Sequence, residues 1–198
     1  MRKNALGSVL AVSLSLGSLG VLADNAADVV QRDVNQERRI EEGLKSGSLN
    51  TKEAARLEGE EARINRMESR ALKDGTVTDA EKARIERSQN KASRDIYREK
   101  HDAEQGNPNS ASSKRMQADV QRNVNQQERI EQGIQNGSLT DKEAARLERG
   151  QARTDRAEAR AGRDGHVSQA EQEHIQRGEN RQSRKIHRMK HNRRAQQN

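Results

Sequence analysis

Basic side chains recur every three or four residues in two stretches of the chain, one in each half. Because a helix turns once in about 3.6 residues, this spacing gathers the cations on one helical face. Like charges one turn apart disfavour a helix, so a face that stays basic indicates an anionic partner. The candidate polyanion-binding residues are Arg84, Arg87, Lys91, Arg94 and Arg98 in the first half, and Arg177, Arg181, Arg184, Lys185, Arg188 and Lys190 in the second. The alternative is a solvated face that keeps the protein soluble.

The expected partner is an anionic envelope polymer, such as the phosphates of lipopolysaccharide, or another protein. Tyr97 is the only aromatic residue. Because stacking on exposed bases needs aromatic side chains, we expect no sequence-specific nucleic-acid binding. No nucleophile motif or phosphate-binding glycine loop occurs, and so polar a chain would hardly wall a catalytic cavity. We therefore expect a binding or structural protein and not an enzyme.

Metal binding or metal buffering is the alternative function. His187 and His191 lie one helical turn apart, a spacing that can place two imidazoles on one divalent transition metal. A complete site needs three or four ligands, and the sequence offers no third. The segment from Asp74 to Glu81 resembles the second half of a calcium-binding EF-hand loop, but Arg70 stands where such a loop begins with Asp. We expect no cofactor, with a metal at the two histidines as the alternative.

Four short segments each combine a helix stop with a helix start. Each has a Gly that can close a helix, an apolar residue two positions later, a polar cap, and a Glu three residues after the cap. The four caps are Asn50, Thr78, Thr140 and Ser168. These turns predict six helices, near residues 28–45, 51–73, 79–101, 118–135, 141–163 and 169–191.

The chain contains an internal duplication at a distance of 90 residues, with 40 of 72 aligned positions identical between 30–101 and 120–191. We therefore predict an all-α fold of two tandem three-helix repeats, 24–101 and 119–191. A flexible linker at 102–118 and a basic tail at 192–198 complete the mature chain. Each repeat has a thin apolar seam and could close by itself, although pairing of chains would deepen the seams. The second seam is thinner, since Thr154 replaces Ile64 and Gln182 replaces Ala92.

The composition places the protein close to the disordered class. Only 29% of residues are hydrophobic, 35% are charged, and the formal net charge is +7. The first 23 residues read as a signal peptide, because Arg2 and Lys3 precede an apolar run that ends in small residues at Ala23. No later stretch is apolar enough for a membrane span, so we expect a periplasmic or secreted protein.

Two stretches resemble a group of small secreted proteobacterial proteins of unknown function. They are Leu-Thr-Asp-Lys-Glu-Ala-Ala-Arg-Leu-Glu at 139–148 and Ser-Arg-Asp-Ile-Tyr-Arg-Glu-Lys-His-Asp at 93–102. The resemblance implies a bacterial envelope or extracellular setting and brings no activity with it. The second repeat departs from the pattern, with His187 in place of Tyr97 and Asn192 in place of Asp102.

Overall fold

The predicted all-α fold is confirmed by a computed structural model that describes the backbone of residues 18–192 and the side chains of residues 26–192. Most of the predicted signal peptide and the tail after Asn192 thus lie outside the described residues. The helices are α1 (Ser18–Ser46), α2 (Thr51–Ala71), α3 (Asp79–Lys100), α4 (Ala111–Gln135), α5 (Asp141–Ala161) and α6 (Gln169–Lys190), with a turn of 3₁₀ helix at Gly162–Asp164. None of these described helices is long and apolar enough to cross a membrane.

The four predicted stop-and-start turns are confirmed in detail. The glycines at 47, 75, 137 and 165 have φ between 70 and 87°, the left-handed region in which a Cβ is strained. At each cap the side-chain oxygen accepts the backbone N–H of the Glu three residues on, and that Glu accepts the N–H of the cap. The glutamates of the EF-hand-like turns are therefore used as helix caps.

The connection between the repeats is shorter and better held than the predicted linker. Ser110 caps α4 by accepting the N–H of Ser113, so the second half of the segment 102–118 is helical. The first half of this segment lies against the turn between α1 and α2. There the N–H of Gly106 donates to the carbonyl of Gly47 over 2.8 Å. Helix α4 starts early because its first turns bury Met116 in the core.

The two repeats pack on each other through equivalent helices. Helix α1 lies along α4 and α2 lies along α5, while α3 and α6 cover the flanks of their own repeats. Arg38 contacts Glu128, its own equivalent in the second repeat, over 2.8 Å. Lys45, further along α1, donates to Gln121, further back along α4, over 3.2 Å. The paired helices therefore run antiparallel about an approximate two-fold axis, as in an isologous dimer.

The apolar core is shared between the repeats, so neither closes as an independent three-helix unit. One cluster joins Ile40 and Leu57 of the first repeat with Met116 and Ile175 of the second. Another joins Val30 and Leu72 with Leu147 and Ile186, among other residues. Few large apolar side chains are available, and each small seam becomes a core only when the other repeat covers it.

A third cluster belongs to the first repeat alone. It contains Val29, Ile64, Ala71, Ile85 and Ala92 at the junction of α1, α2 and α3. The equivalent positions of Val29, Ile64 and Ala92 hold Asp119, Thr154 and Gln182. The predicted thinning of the second seam is confirmed, and it leaves space between α5 and α6.

We predict that Gly162→Ala destabilises the whole protein. A Cβ at Gly162 would lie 2.7 Å from the Cβ of Ala55, at the contact between the repeats, so overpacking should cost about 1 to 3 kcal/mol of unfolding free energy. Gly178→Ala, in the middle of α6, is the control because the nearest neighbour lies 3.9 Å away. This change should be neutral or stabilise by up to about 1 kcal/mol. Urea unfolding followed by circular dichroism measures both; a loss of stability at position 178 but not at 162 would contradict the packing described here.

Candidate functional site

The predicted basic faces lie on the outside of the protein. On α3 the side chains of Arg84, Arg87, Lys91, Arg94 and Arg98 are exposed, and on α6 those of Arg177, Arg181, Arg184 and Arg188 are exposed while Lys185 and Lys190 are half-buried. The flanking position of α3 and α6 explains this, since each helix uses its opposite face to cover its own repeat. The two faces occupy equivalent positions in the repeats, but their basic side chains differ in the ion pairs that they form.

Cations of α3 are partly neutralised by neighbouring acids. Lys91 forms ion pairs with Glu60, over 3.0 Å, and with Asp95. Arg98 forms ion pairs with Asp95, over 2.8 Å, and with Glu99. Hydrogen bonds to Asp95 and Glu60 raise the pKa of Lys91. The basic face of the first repeat is therefore a mixed network of charges.

Cations of α6 lack such partners. Within the described residues, no salt bridge involves a basic side chain of this helix. Lys185 donates to the backbone carbonyl of Arg146 over 2.6 Å, and Lys190 donates to that of Arg129 over 2.9 Å. Burial, and then the charges of Arg153 and Arg146, lower the pKa of the Lys185 ammonium. These positive charges thus face one another without compensation.

A groove of about 350 Å³ opens between α5 and α6, and we call it the α5–α6 groove. It is lined by Gly150, Arg153, Thr154, Ala157, His174, Ile175, Gly178, Arg181, Gln182 and Lys185. In the first repeat the equivalent space is filled by Ile64 and Met67, whose places are taken here by Thr154 and Ala157. Loss of apolar volume in the second repeat has therefore left an open groove with basic side chains in its lining.

Five arginines extend this positive region across the contact between the repeats. Because α2 and α5 are antiparallel neighbours, Arg66 and Arg70 of α2 lie beside Arg149, Arg153 and Arg156 of α5, around a second cavity of about 320 Å³. We call these five residues the arginine patch. Arg153 lines both cavities, so the groove and the patch form one continuous surface.

The histidines of the alternative metal hypothesis are exposed at the end of α6. Their rings stack with centroids 4.2 Å apart, and Nδ1 of His191 lies 2.7 Å from the carbonyl oxygen of His187. Tyr97 and His101 adopt the same arrangement in the first repeat, with centroids 4.1 Å apart. Among the described residues, neither histidine belongs to a group of three possible metal ligands. The histidine site stays a prediction.

Sequence reasoning missed a cluster of buried acids between the repeats, which we call the central cluster. Its members are Asp33, Glu37, Glu58, Glu61, Glu68, Glu148, Asp155 and Glu158, on α1, α2 and α5. All eight side chains are buried, and none takes part in a described salt bridge. Burial, followed in most cases by repulsion from neighbouring carboxylates, raises the pKa of these groups; that of Asp33 reaches about 6.

Amide side chains from the equivalent positions satisfy part of the central cluster. Asn65 donates to its own equivalent, Asp155, over 2.8 Å. Asn123, the equivalent of Asp33, donates to Glu158 over 2.8 Å. Gln127, the equivalent of Glu37, donates to Glu148 over 3.3 Å. The exchange of acid for amide between the repeats is the sequence signal that could have revealed the cluster.

Two further acids are buried in the second repeat, Asp119 on α4 and Glu179 on α6. Burial raises the pKa of Asp119 to about 7. Burial and the charge of Asp119 raise the pKa of Glu179 to about 8, although Arg122 lies 2.9 Å from that carboxylate and opposes the shift. Desolvation therefore dominates over the ion pair at this position.

These shifts predict a protein that loses stability as pH rises. The pKa values of Asp119 and Glu179 in the folded chain, about 7 and about 8, exceed the ordinary values of 3.8 and 4.5, so folding favours the protonated forms. The stabilisation that these two protonated groups give to the folded state is complete below about pH 4. It is lost as pH rises through 7 and 8. The unfolding free energy in chelator-containing buffer should fall between pH 5 and pH 8, and Asp119→Asn should make the fall shallower.

The matched control for this measurement is Glu128→Gln, which removes a carboxylate from an exposed ion pair with Arg38. Its pH profile should follow that of the unmodified protein, because a surface pair contributes little to stability. Urea unfolding at a series of pH values measures all three proteins. Stability that rises from pH 5 to pH 8 would contradict the shifts described for the buried acids.

No protein-family model, curated protein or solved structure matches this chain. The α5–α6 groove with its arginine patch, and the central cluster, are therefore the two sites from which function can be inferred.

Proposed function

We propose that the protein works by binding and not by catalysis, and that it binds anionic polymers of the cell envelope or its surroundings through the α5–α6 groove and the arginine patch. Phosphate groups, such as those of lipopolysaccharide, are the anions that we expect it to recognise. The periplasmic or secreted setting follows from the predicted signal peptide and from the resemblance to small secreted proteins.

The observation that carries this proposal is a reversal of charge between the repeats. Position 60 is Glu in the first repeat and its equivalent is Gly150, while position 95 is Asp and its equivalent is Lys185. The two acids that neutralise Lys91 in the first repeat are thus absent around its equivalent, Arg181. One side of the second repeat gains space and positive charge at the same place.

The energetics of the groove favour an anion. Arg153, Arg181 and Lys185 repel one another across a partly enclosed space, where charges interact more strongly than in bulk water. An anion in the groove would remove that repulsion and accept charge-assisted hydrogen bonds. Guanidinium groups suit phosphate because they offer two parallel N–H donors.

An extended polymer fits the surface better than a single small ion. The groove and the arginine patch are continuous through Arg153 and span α2, α5 and α6. Several separate anionic groups could therefore be bound together, with the added affinity of multivalent contact. The basic face of α3 contributes less, because Lys91 and Arg98 already have carboxylate partners.

We predict that Arg181→Ala and Arg153→Ala each weaken binding of lipopolysaccharide by roughly tenfold or more, because a hydrogen bond to a charged group is worth about 1.5 to 3 kcal/mol. Lys185→Asp, which restores the residue of the first repeat, should weaken binding further. Titration by isothermal calorimetry over a range of salt concentrations measures the effect. Affinity should fall with added salt, and each lost cation should reduce the salt slope by about one.

The matched controls are Lys91→Ala and Arg63→Ala, which change the equivalent residues of the first repeat. Both should leave affinity within about a factor of five, since the loss of one exposed charge outside the site is worth under ~1 kcal/mol. Binding without salt dependence, or equal losses in the two repeats, would contradict the proposed site.

A further inference from the structure

Three carboxylates of the central cluster converge on one point. Glu37 of α1, Glu58 of α2 and Asp155 of α5 each place an oxygen within 4.8 Å of the others, and all three side chains are buried. The contact joins helices of both repeats, so it exists only because the repeats pack together. This acidic triad is distinct from the surface that is proposed to bind anions.

Two of the three carboxylates of the acidic triad lack the hydrogen bonds that buried carboxylates need, whereas Asp155 accepts from Asn65 over 2.8 Å and from Asn123 over 3.3 Å. Neither oxygen of Glu37 and neither oxygen of Glu58 accepts a hydrogen bond from a described donor. Glu61, one turn beyond Glu58 on α2, is also fully buried with both oxygens unpartnered, and its charge adds to the repulsion at Glu37 and Glu58. A buried carboxylate without a hydrogen-bond donor or a counter-charge is strongly unfavourable, and a bound cation would supply that counter-charge.

The equivalent triad on the other side of the two-fold axis provides an internal comparison. It consists of Gln127, Glu148 and Asn65, so two of the three carboxylates are amides. Gln127 donates to Asn65 over 3.1 Å and to Glu148 over 3.3 Å. This triad is closed by the hydrogen bonds of its amides, whereas the acidic triad contains no amide and has a donor of its own only when one of its carboxyls is protonated.

We propose that Glu37, Glu58 and Asp155 together bind one divalent cation of the class that prefers carboxylate oxygens, such as Mn²⁺ or Ca²⁺. Around Ca²⁺, with ligand distances of about 2.3 to 2.6 Å, two ligand oxygens lie at most roughly 5.2 Å apart, so three oxygens that all lie within 4.8 Å of one another are close enough to share one ion. Among the described residues no nitrogen or sulfur ligand joins the three carboxylates, and an oxygen-only donor set suits Mn²⁺ and Ca²⁺. Cores of helical bundles are established places for carboxylate-bound metals.

A second group of three acids, Glu53, Glu99 and Asp102, does not carry the same inference. Glu53 accepts the N–H of Asn50 in a helix cap, and Glu99 is paired with Arg56 and Arg98. Two of its three carboxylates therefore already have partners. The duplication predicts one cation per chain, since the amide-containing triad cannot replace the acidic one.

The test uses the full chain, unfolded in denaturant with chelator and then refolded in chelator-free buffer, so that a buried site is accessible during loading. Titration with Mn²⁺, followed by electron paramagnetic resonance and by metal analysis after gel filtration, should give one ion per chain. Ca²⁺ should compete for the site, and both ions should raise the melting temperature.

Two variants place in the acidic triad the amide that the chain already has at the equivalent position. Glu37→Gln copies Gln127, and Asp155→Asn copies Asn65. Each should lose the bound ion and the thermal shift while keeping its helical circular dichroism. Glu148→Gln, which alters the equivalent of Glu58 outside the acidic triad, should still bind one ion.

Failure of the unmodified protein to retain Mn²⁺ or Ca²⁺ would overturn the proposal, whatever the behaviour of the variants. Retention of one ion by both Glu37→Gln and Asp155→Asn would overturn it as well. If Asp155→Asn does not fold, Glu37→Gln alone decides, because position 37 accepts no hydrogen bond that the change would break.

Discussion

Burial of carboxylates between the two repeats is the constraint on which the rest of the structure depends. The chain has no Phe, Trp or Cys, so neither a large aromatic core nor a disulfide is available to hold it together. Packing α2 against α5 joins the small apolar seams but also covers Glu58, Glu61 and Glu148 completely. Those acids must be protonated, hydrogen-bonded to amides or bound to a cation before the repeats can pair.

Two joined repeats can meet that constraint because their sequences can differ. A symmetric dimer of one repeat could not meet it in this way. In such a dimer, each residue that meets the two-fold axis would face an identical residue. In this chain Asn65 faces Asp155, and Arg38 faces Glu128, so each contact joins complementary groups at equivalent positions. Once the two copies were joined in one chain, they were free to diverge at the positions that meet across the axis. The remaining identity preserves the helices, and the differences make their contact favourable.

Features that depend on neighbours in sequence could be predicted, and features that depend on the partner repeat could not. The caps at Asn50, Thr78, Thr140 and Ser168 follow from local hydrogen bonding, which is why the turns and most helix ends were correct. The ion pair of Lys45 with Glu41, one helical turn earlier, is another contact between neighbours in sequence. By contrast, Glu58 and Glu61 lie among polar residues of α2 and would be solvated in a lone three-helix unit.

The α5–α6 groove is another feature that could not be predicted, although the substitutions that form it are visible in the sequence. The losses of Ile64 and Ala92 in the second repeat were visible in the sequence and indicated only a thinner seam. Their meaning depends on Gly150 and Lys185 being neighbours across α5 and α6, which is a tertiary fact. The arginine patch also requires the antiparallel contact of α2 with α5, since Arg66 and Arg149 are far apart along the chain.

The buried acids of the central cluster affect the exposed basic residues through the net charge of the folded protein. The formal value of +7 counts every Asp and Glu as ionised. Burial raises the pKa of the central acids, so the folded chain takes up protons that the unfolded chain releases, and each proton adds one positive charge. A bound divalent cation has the same effect. At a pH between the ordinary and the raised pKa of these acids, the folded protein is therefore more cationic than the unfolded chain, and within the described residues the basic side chains of α6 form no salt bridge. By linkage, an anionic polymer on the outer surface and a proton or cation in the interior should each strengthen the binding of the other.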